Sequence, residues 1–280
     1  MLKIGDRKVL LLVSLYASSV LAMGQGVPVR CTSQTKLPAE GIHHTSNAPT
    51  PAALESTAEQ ATRDPSILPA REPANFGIAR YRLEEYADCS ADQGCYWSDL
   101  EAQASRAEAE LDRLLAQHHA TDAREAQRQK LALVLDIDET SLSAYCEEKR
   151  EDYGFIPEMF NSWVISPAAT VAIPGILRLF RRARAAGVSV FFLTGRPYEQ
   201  TDATARNLRA AGYDDWQGLI LRSAAQRNIP TTEYKSAERA RLIAHGYVLL
   251  LNVGDQWSDL LGTPRAELSV KLPNPFYYLP

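Results

Sequence analysis

The run Leu131-Ala132-Leu133-Val134-Leu135 has no polar break and ends directly on Asp136-Ile137-Asp138-Glu139-Thr140. A short apolar run without alternation fits a strand covered on both faces, and such strands belong to parallel sheets with helices on either side. The pattern then repeats. Pro174-Gly175 opens a helix whose Ile176, Leu177, Leu179, Phe180 and Ala183 form an apolar stripe closed by Gly187, and residues 188–193 make a second buried strand. A helix over about 201–211 stops at Gly212 and leads to Leu219-Ile220-Leu221. A further helix near 236–245 leads to a strand at 247–253. Strands and helices that alternate through short turns predict an α/β fold built on a doubly wound parallel sheet. No internal repeat interrupts this order.

In an open parallel sheet the ligand site lies beyond the carboxyl ends of the strands. Asp136, Thr194 and Asp255 fall at or just past such ends. Four pieces therefore meet at one sheet edge: residues 136–140, Thr194-Gly195-Arg196, Lys235, and Gly254-Asp255-Gln256-Trp257-Ser258-Asp259. Taken singly, each has an ordinary explanation. An Asp-x-Asp after a strand is commonly an acidic turn, Lys235 alone reads as a solvated helix-start lysine, and Thr194-Gly195-Arg196-Pro197 as a strand-to-helix turn. Their coincidence points to chemistry. Two carboxylates about 4 Å apart repel by roughly 4 kcal/mol at an effective dielectric near 20. Asp136, Asp138, Asp255 and Asp259 together thus call for a counter-ion, most simply Mg²⁺, which also receives phosphate oxygens. Lys235, the Thr194 hydroxyl and N–H groups around Gly195 are suited to bind phosphate.

The two aspartates of the first piece divide the work. Asp136 attacks phosphorus to form an aspartyl-phosphate. Asp138 gives a proton to the leaving alkoxide and later takes one from water, so a mildly acidic rate optimum is expected. Asp259 is placed behind the metal ligands as a supporting residue, and Trp257 is read as a packing residue.

With 280 residues the chain can bury a sizeable core. A net charge of −4 and the lack of a basic run argue against a partner held by nucleic-acid phosphates. Lys3, Arg7 and Lys8 precede an apolar stretch over 9–22, short for a membrane span, so residues 1–22 read as a signal peptide ending at Ala22, with an uncleaved anchor as the other reading. Export, to a periplasmic or secreted location, would place Cys31, Cys89, Cys95 and Cys146 in an oxidising compartment. Cys89 and Cys95 could close a small loop, but the spacing leaves all pairings open. Residues 23–75, rich in Pro, Thr, Ala and Ser, read as a low-complexity leader in which His43-His44 is a solvated pair. Residues 76–128 form a helical arm in which Leu111, Leu114 and Leu115 recur at helix spacing, and His118-His119 ends a helix.

The four pieces, in this order, resemble the signatures of the haloacid dehalogenase (HAD) superfamily. The closer resemblance is to its acid phosphatase subfamily, IIIB, with bacterial class B and class C enzymes and plant vegetative-storage-like members. It is carried by residues 191–197, 207–213, Tyr234-Lys235-Ser236, 254–262 and 271–278, and it covers about 76–280. It implies a Rossmann-like core, Mg²⁺ dependence and phosphomonoester hydrolysis. Asp136 is then the nucleophile and Asp138 the acid and base; Thr194, Gly195 and Lys235 hold phosphate. Asp136, Asp255 and the Asp138 backbone carbonyl hold the metal. Some plant storage relatives lack the nucleophile; this chain keeps Asp136. Ser141 departs from the aliphatic residue common there. Caps inserted after the first signature often choose substrates in this superfamily, but residues 139–173 are too short for a full α/β lid. The site is therefore expected to be open. Tyr145, Tyr153, Phe155, Phe160 and Trp163 of that insert either pack it on the core or stack a nucleobase or other aromatic leaving group, which would make nucleoside monophosphates a subset of the substrates. Two other activities remain on the same residues: phosphoryl transfer to an alcohol, and storage or binding with little turnover.

Overall fold

The computed structural model describes residues 51–68, 70, 73–88, 95–120 and 129–279. The expected signal peptide, Cys31, His43-His44 and Cys89 lie outside the described residues.

Among the described residues five strands form one sheet: β1 (Lys130–Leu135), β2 (Ser189–Pro197), β3 (Gly218–Arg222), β4 (Tyr247–Gly254) and β5 (Leu268–Lys271). Their order is β3-β2-β1-β4-β5 and every neighbouring pair is parallel. This is the doubly wound α/β architecture read from the alternating pattern. The connecting helices are α6 (Pro174–Ala185), α7 (Thr201–Ala210) and α8 (Thr231–Ala244).

Side chains alternate between the two faces of β1 and β2, so each face carries its own core. On one face Leu133, Leu135, Val190 and Phe192 pack with Ile176, Leu179, Phe180 and Ala183 of α6 and with Leu208 of α7. On the other, Ala132, Val134, Phe191 and Leu193 pack with Tyr234 and Leu242 of α8. The apolar stripe of α6 is thus the face laid on the sheet, and Gly187, at φ 77°, ends that helix as glycine commonly does.

The arm consists of α2 (Phe76–Asp88) and the long α3 (Tyr96–Ala120), preceded by the exposed α1 (Pro51–Thr62) inside the stretch read as a low-complexity leader. Leu100, Leu111, Leu114 and Leu115 of α3 join the first core, each burial contributing about 1.5–3 kcal/mol. The insert between Asp138 and α6 holds two short helices, α4 (Tyr145–Arg150) and α5 (Pro157–Val164), and is closed at its base by the Leu142–Ala172 antiparallel bridge. No strand lies in it.

Its aromatic residues form two groups. Tyr145 and Tyr153 pack on Phe276, with ring centroids 5.2 and 5.9 Å away. Phe155 is 68% exposed and continues through Phe160 (5.6 Å) to Trp163 (5.9 Å) as a ladder of rings.

Candidate active site

The first core strand delivers Asp136. Its backbone N–H donates to the Val253 carbonyl of β4 at 3.0 Å, so the sheet ladder continues up to the carboxylate itself. The chain then turns sharply. Glu139 takes the left-handed conformation (φ 51°), and Ser141, fully buried, donates its hydroxyl to the Asp136 carbonyl at 2.6 Å. The Ser141 hydroxyl therefore has a partner that an aliphatic residue would leave unused.

β4 delivers Asp255, followed by the single helical turn α9 (Trp257–Leu260) that carries Asp259. Gly254 makes this return possible: a Cβ there would lie 2.4 Å from the Asp259 Cβ. Carboxylate oxygens of Asp136, Asp255 and Asp259, all buried, come within 4.8 Å of one another. Lys235, only 3% exposed, reaches in from α8 and donates to the Asp136 carboxylate and, at 2.5 Å, to Asp259 Oδ1.

The electrostatics follow from that geometry. Burial pushes the Asp136 carboxyl well up, Lys235 opposes this, and Asp259, Asp255 and Asp138 add to it. Burial, with Asp259 next, raises Asp255 to about 6. Burial works against the Lys235 ammonium as well, but Asp136 and Asp259 overcome it and keep the side chain charged. Were all three carboxylates to ionise against the one ammonium, an excess of negative charge would result. A hard divalent cation has the charge and the oxygen preference to remove that excess, so the donor set fits one.

Sequence reasoning places Asp259 behind the metal ligands, whereas the fold brings one of its oxygens into the cluster. The Asp138 carboxylate, in contrast, turns toward β2. Arg196 holds it from Nη2 at 2.7 Å and from Nε at 3.0 Å, and Arg196 Nη1 is itself braced by the Thr204 hydroxyl at 3.1 Å. Thr194 is fully buried, and its Oγ1 accepts the Arg196 N–H at 3.2 Å. Gly195 is exposed, with no atom within 4 Å of where a Cβ would stand, so it borders open space. Trp257 is 52% exposed, with the Lys271 ammonium 5.5 Å from its ring centre. It is a surface residue and packs no core, because α9 turns it away as it turns Asp259 inward.

Several partners escape sequence reasoning. Arg196 and Gln256 sit inside the motifs at the strand ends, and their position there is the signal that could have found them. Glu139 is fully buried; it accepts from the Tyr96 hydroxyl of α3 at 2.5 Å and from the Ala144 N–H, and burial pushes its carboxyl up to about 8. Nothing in the sequence around Tyr96 marks that contact. Asp255 is held by Thr140 Oγ1 (2.9 Å), Gln256 Nε2 (2.8 Å) and Asn274 Nδ2 (2.8 Å).

Comparison with known proteins identifies the family. Residues 70–280 match the family described as HAD superfamily, subfamily IIIB (Acid phosphatase). Acid phosphatase 1 of Solanum lycopersicum is 39% identical over 149 residues, 52% of this chain and 58% of that protein. The Stem 28 kDa glycoprotein of Glycine max is 38% identical over 155 residues, 54% of this chain and 61% of that protein. Vegetative storage protein 1 of Arabidopsis thaliana is 32% identical over 150 residues, 52% of this chain and 55% of that protein. The chain thus spans less than two thirds of the length of these relatives. Among solved structures, the class C acid phosphatase of Bacillus anthracis superposes with a TM-score of 0.53 at 18% identity, over 71% of this chain and 85% of that one. At that identity the superposition speaks for the fold.

Proposed function

The chain belongs to subfamily IIIB, the acid phosphatases of the HAD superfamily, and from that membership we propose that it is an exported, Mg²⁺-dependent hydrolase of small phosphomonoesters. The observation that carries this reading is the buried meeting of Asp136, Asp255 and Asp259 around Lys235 at the carboxyl ends of β1 and β4.

Asp136 is the nucleophile. Lys235 Nζ orients its Oδ1 and balances charge that would otherwise oppose an incoming phosphate. Thr194 and the open backbone at Gly195 receive the phosphate oxygens. Asp136, Asp255, Asp259 and the Asp138 segment would hold a Mg²⁺ ion, which would supply charge neutralisation and polarise the phosphoryl oxygens. Asp138, oriented by the two-armed grip of Arg196, delivers a proton to the leaving alkoxide and takes one from the water that hydrolyses the aspartyl-phosphate. The ladder of Phe155, Phe160 and Trp163, exposed at Phe155 and half-buried beyond it, supports nucleoside monophosphates as a subset of substrates. The disulfide-bonded state of Cys95 and Cys146 supports an oxidising compartment, as does the basic and then apolar start of the chain.

The test is hydrolysis of p-nitrophenyl phosphate at pH 5 to 8, with Mg²⁺ and with EDTA, by the wild-type chain and Asp136→Asn. Turnover is expected to fall by at least 10³-fold in the variant, on the scale of losing a covalent nucleophile, and to be lost in EDTA. Turnover that survives both treatments would sink the mechanism. Resemblance to proteins named for storage raises a second reading, a fold kept with little turnover. A wild-type chain with no measurable rate on a panel of phosphomonoesters would favour it.

A further inference from the structure

Asp255 is restrained by three side-chain donors, and one of them comes from the chain's C-terminal tail. Asn274 Nδ2 donates to Asp255 Oδ2 at 2.8 Å, and Asn274 Oδ1 accepts the Phe276 N–H at 2.9 Å. Those two partners fix the orientation of the amide, because only its nitrogen can donate to a carboxylate and only its oxygen can accept from an N–H. The tail itself is pinned. Leu272 N–H donates to the Gly254 carbonyl at 2.9 Å, Leu279 N–H to Gln256 Oε1 at 3.0 Å, and the Phe276 ring stands 4.9 Å from that of Tyr96 and 5.2 Å from that of Tyr145.

The two oxygens of Asp255 are not equivalent. Among the described residues, Oδ2 accepts from both Gln256 Nε2 and Asn274 Nδ2, while Oδ1 accepts from Thr140 Oγ1 alone. An sp² oxygen has two lone pairs in its plane, so Oδ2 is saturated and Oδ1 keeps one to give. We propose that Asn274 is a positioning residue for the metal ligand Asp255: by closing Oδ2 it presents Oδ1 as the single atom offered to a divalent cation. The inference rests on the metal reading of the site. It gives the tail a role in metal affinity that lies outside the four signature segments.

Titration of the full chain with Mg²⁺ by calorimetry, comparing wild type with Asn274→Ala, tests it. Loss of such an outer hydrogen-bond partner is expected to weaken the Kd by about ten- to a hundredfold. The Mg²⁺ concentration that half-saturates turnover should rise by the same factor. A role confined to holding the tail in place would instead lower the melting temperature of the metal-free variant and leave the Kd of the folded protein alone. That result overturns the inference. A wild-type chain that binds Mg²⁺ while Asn274→Ala binds equally well overturns it too, and leaves the metal reading standing. A wild-type chain that binds no divalent cation removes both. Should Asn274→Ala fail to fold, the Asn274 side-chain amide of the wild-type chain, followed by NMR, must shift on Mg²⁺ addition; an unmoved signal counts against the proposal.

Discussion

Lys235 stands between two buried carboxylates, and its ammonium is the charge the fold itself supplies to them. Removing one partner of a buried ionic group costs about 3–5 kcal/mol, because the charge left behind has lost both water and its partner. Lys235→Met should therefore lower the metal-free unfolding free energy by about that amount, read as a shifted urea midpoint with an unchanged slope. Saturating Mg²⁺ should restore more stability to the variant than it adds to wild type, since the ion then relieves the cluster without help. Equal increments would place the ion elsewhere. Lys235 was legible as a residue type at the right point in the order of motifs, but its burial was not, because a lysine five residues into a helix ordinarily faces water. Arg196 is visible in its motif while its role is not. Its partner Asp138 lies 58 positions away, and only folding brings the two together. Glu139 is less legible still. Left-handed backbone is usually announced by glycine or asparagine, and here a glutamate is held in it by buried hydrogen bonds to Tyr96 and Ala144.

At the scale of elements, the arm is held to the core by the contact between α3 and α6. Gly175, in the first turn of α6, lets the two helices approach; a Cβ there would stand 2.5 Å from the Ala104 Cβ on α3. Around that contact Arg178 pairs with Glu101 at 3.0 Å and Arg182 with Asp112 at 2.6 Å, half-exposed links worth up to about 1 kcal/mol each. The approach itself matters more. Gly175→Ala should cost about 1–3 kcal/mol by overpacking. Ala104→Gly alone should cost about 1 kcal/mol as a glycine within a helix. Combined, they should destabilise less than the sum, a coupling that thermal melts of the four proteins would detect; strict additivity would mean the helices simply slide apart. The central strands, α6 and α7 were readable because their inner faces are aliphatic and follow period two or 3.6. α8 begins at Thr231, ahead of the expected start near 236, because its inner face carries Tyr234, Lys235, Glu238 and Arg239, which blur the apolar period. β5 has four residues, too few to stand out from a loop.

For the whole molecule, the buried acids set a pH range. Glu148 of α4 and Glu139 are both pushed up to about 8, chiefly by burial, with Glu151, Asp138 and Glu147 adding to Glu148. The unfolded chain releases these protons near pH 4.5. Between that value and about 8 the native state holds protons the unfolded state has given up, so stability declines as pH rises, by about 1.4 kcal/mol per unit for each such group. The contribution is whole below pH 4.5 and gone above about 8. Metal affinity runs the other way, because the raised carboxyls of Asp136 and Asp255 must lose protons to bind a cation. A mildly acidic medium is the compromise: the glutamates remain neutral while Asp255, at about 6, begins to ionise. Glu148→Gln isolates the stability half of this balance, since the neutral amide imitates the protonated acid and other titrations cancel between the two proteins. Its melting temperature should lie near that of wild type at pH 5 and above it at pH 8. A variant that melts below wild type by the same margin at both values would show that Glu148 contributes through its contacts, with its proton irrelevant. A gain that appears only at pH 8 would tie the protein's working range to acids buried behind the site, as much as to the aspartates within it.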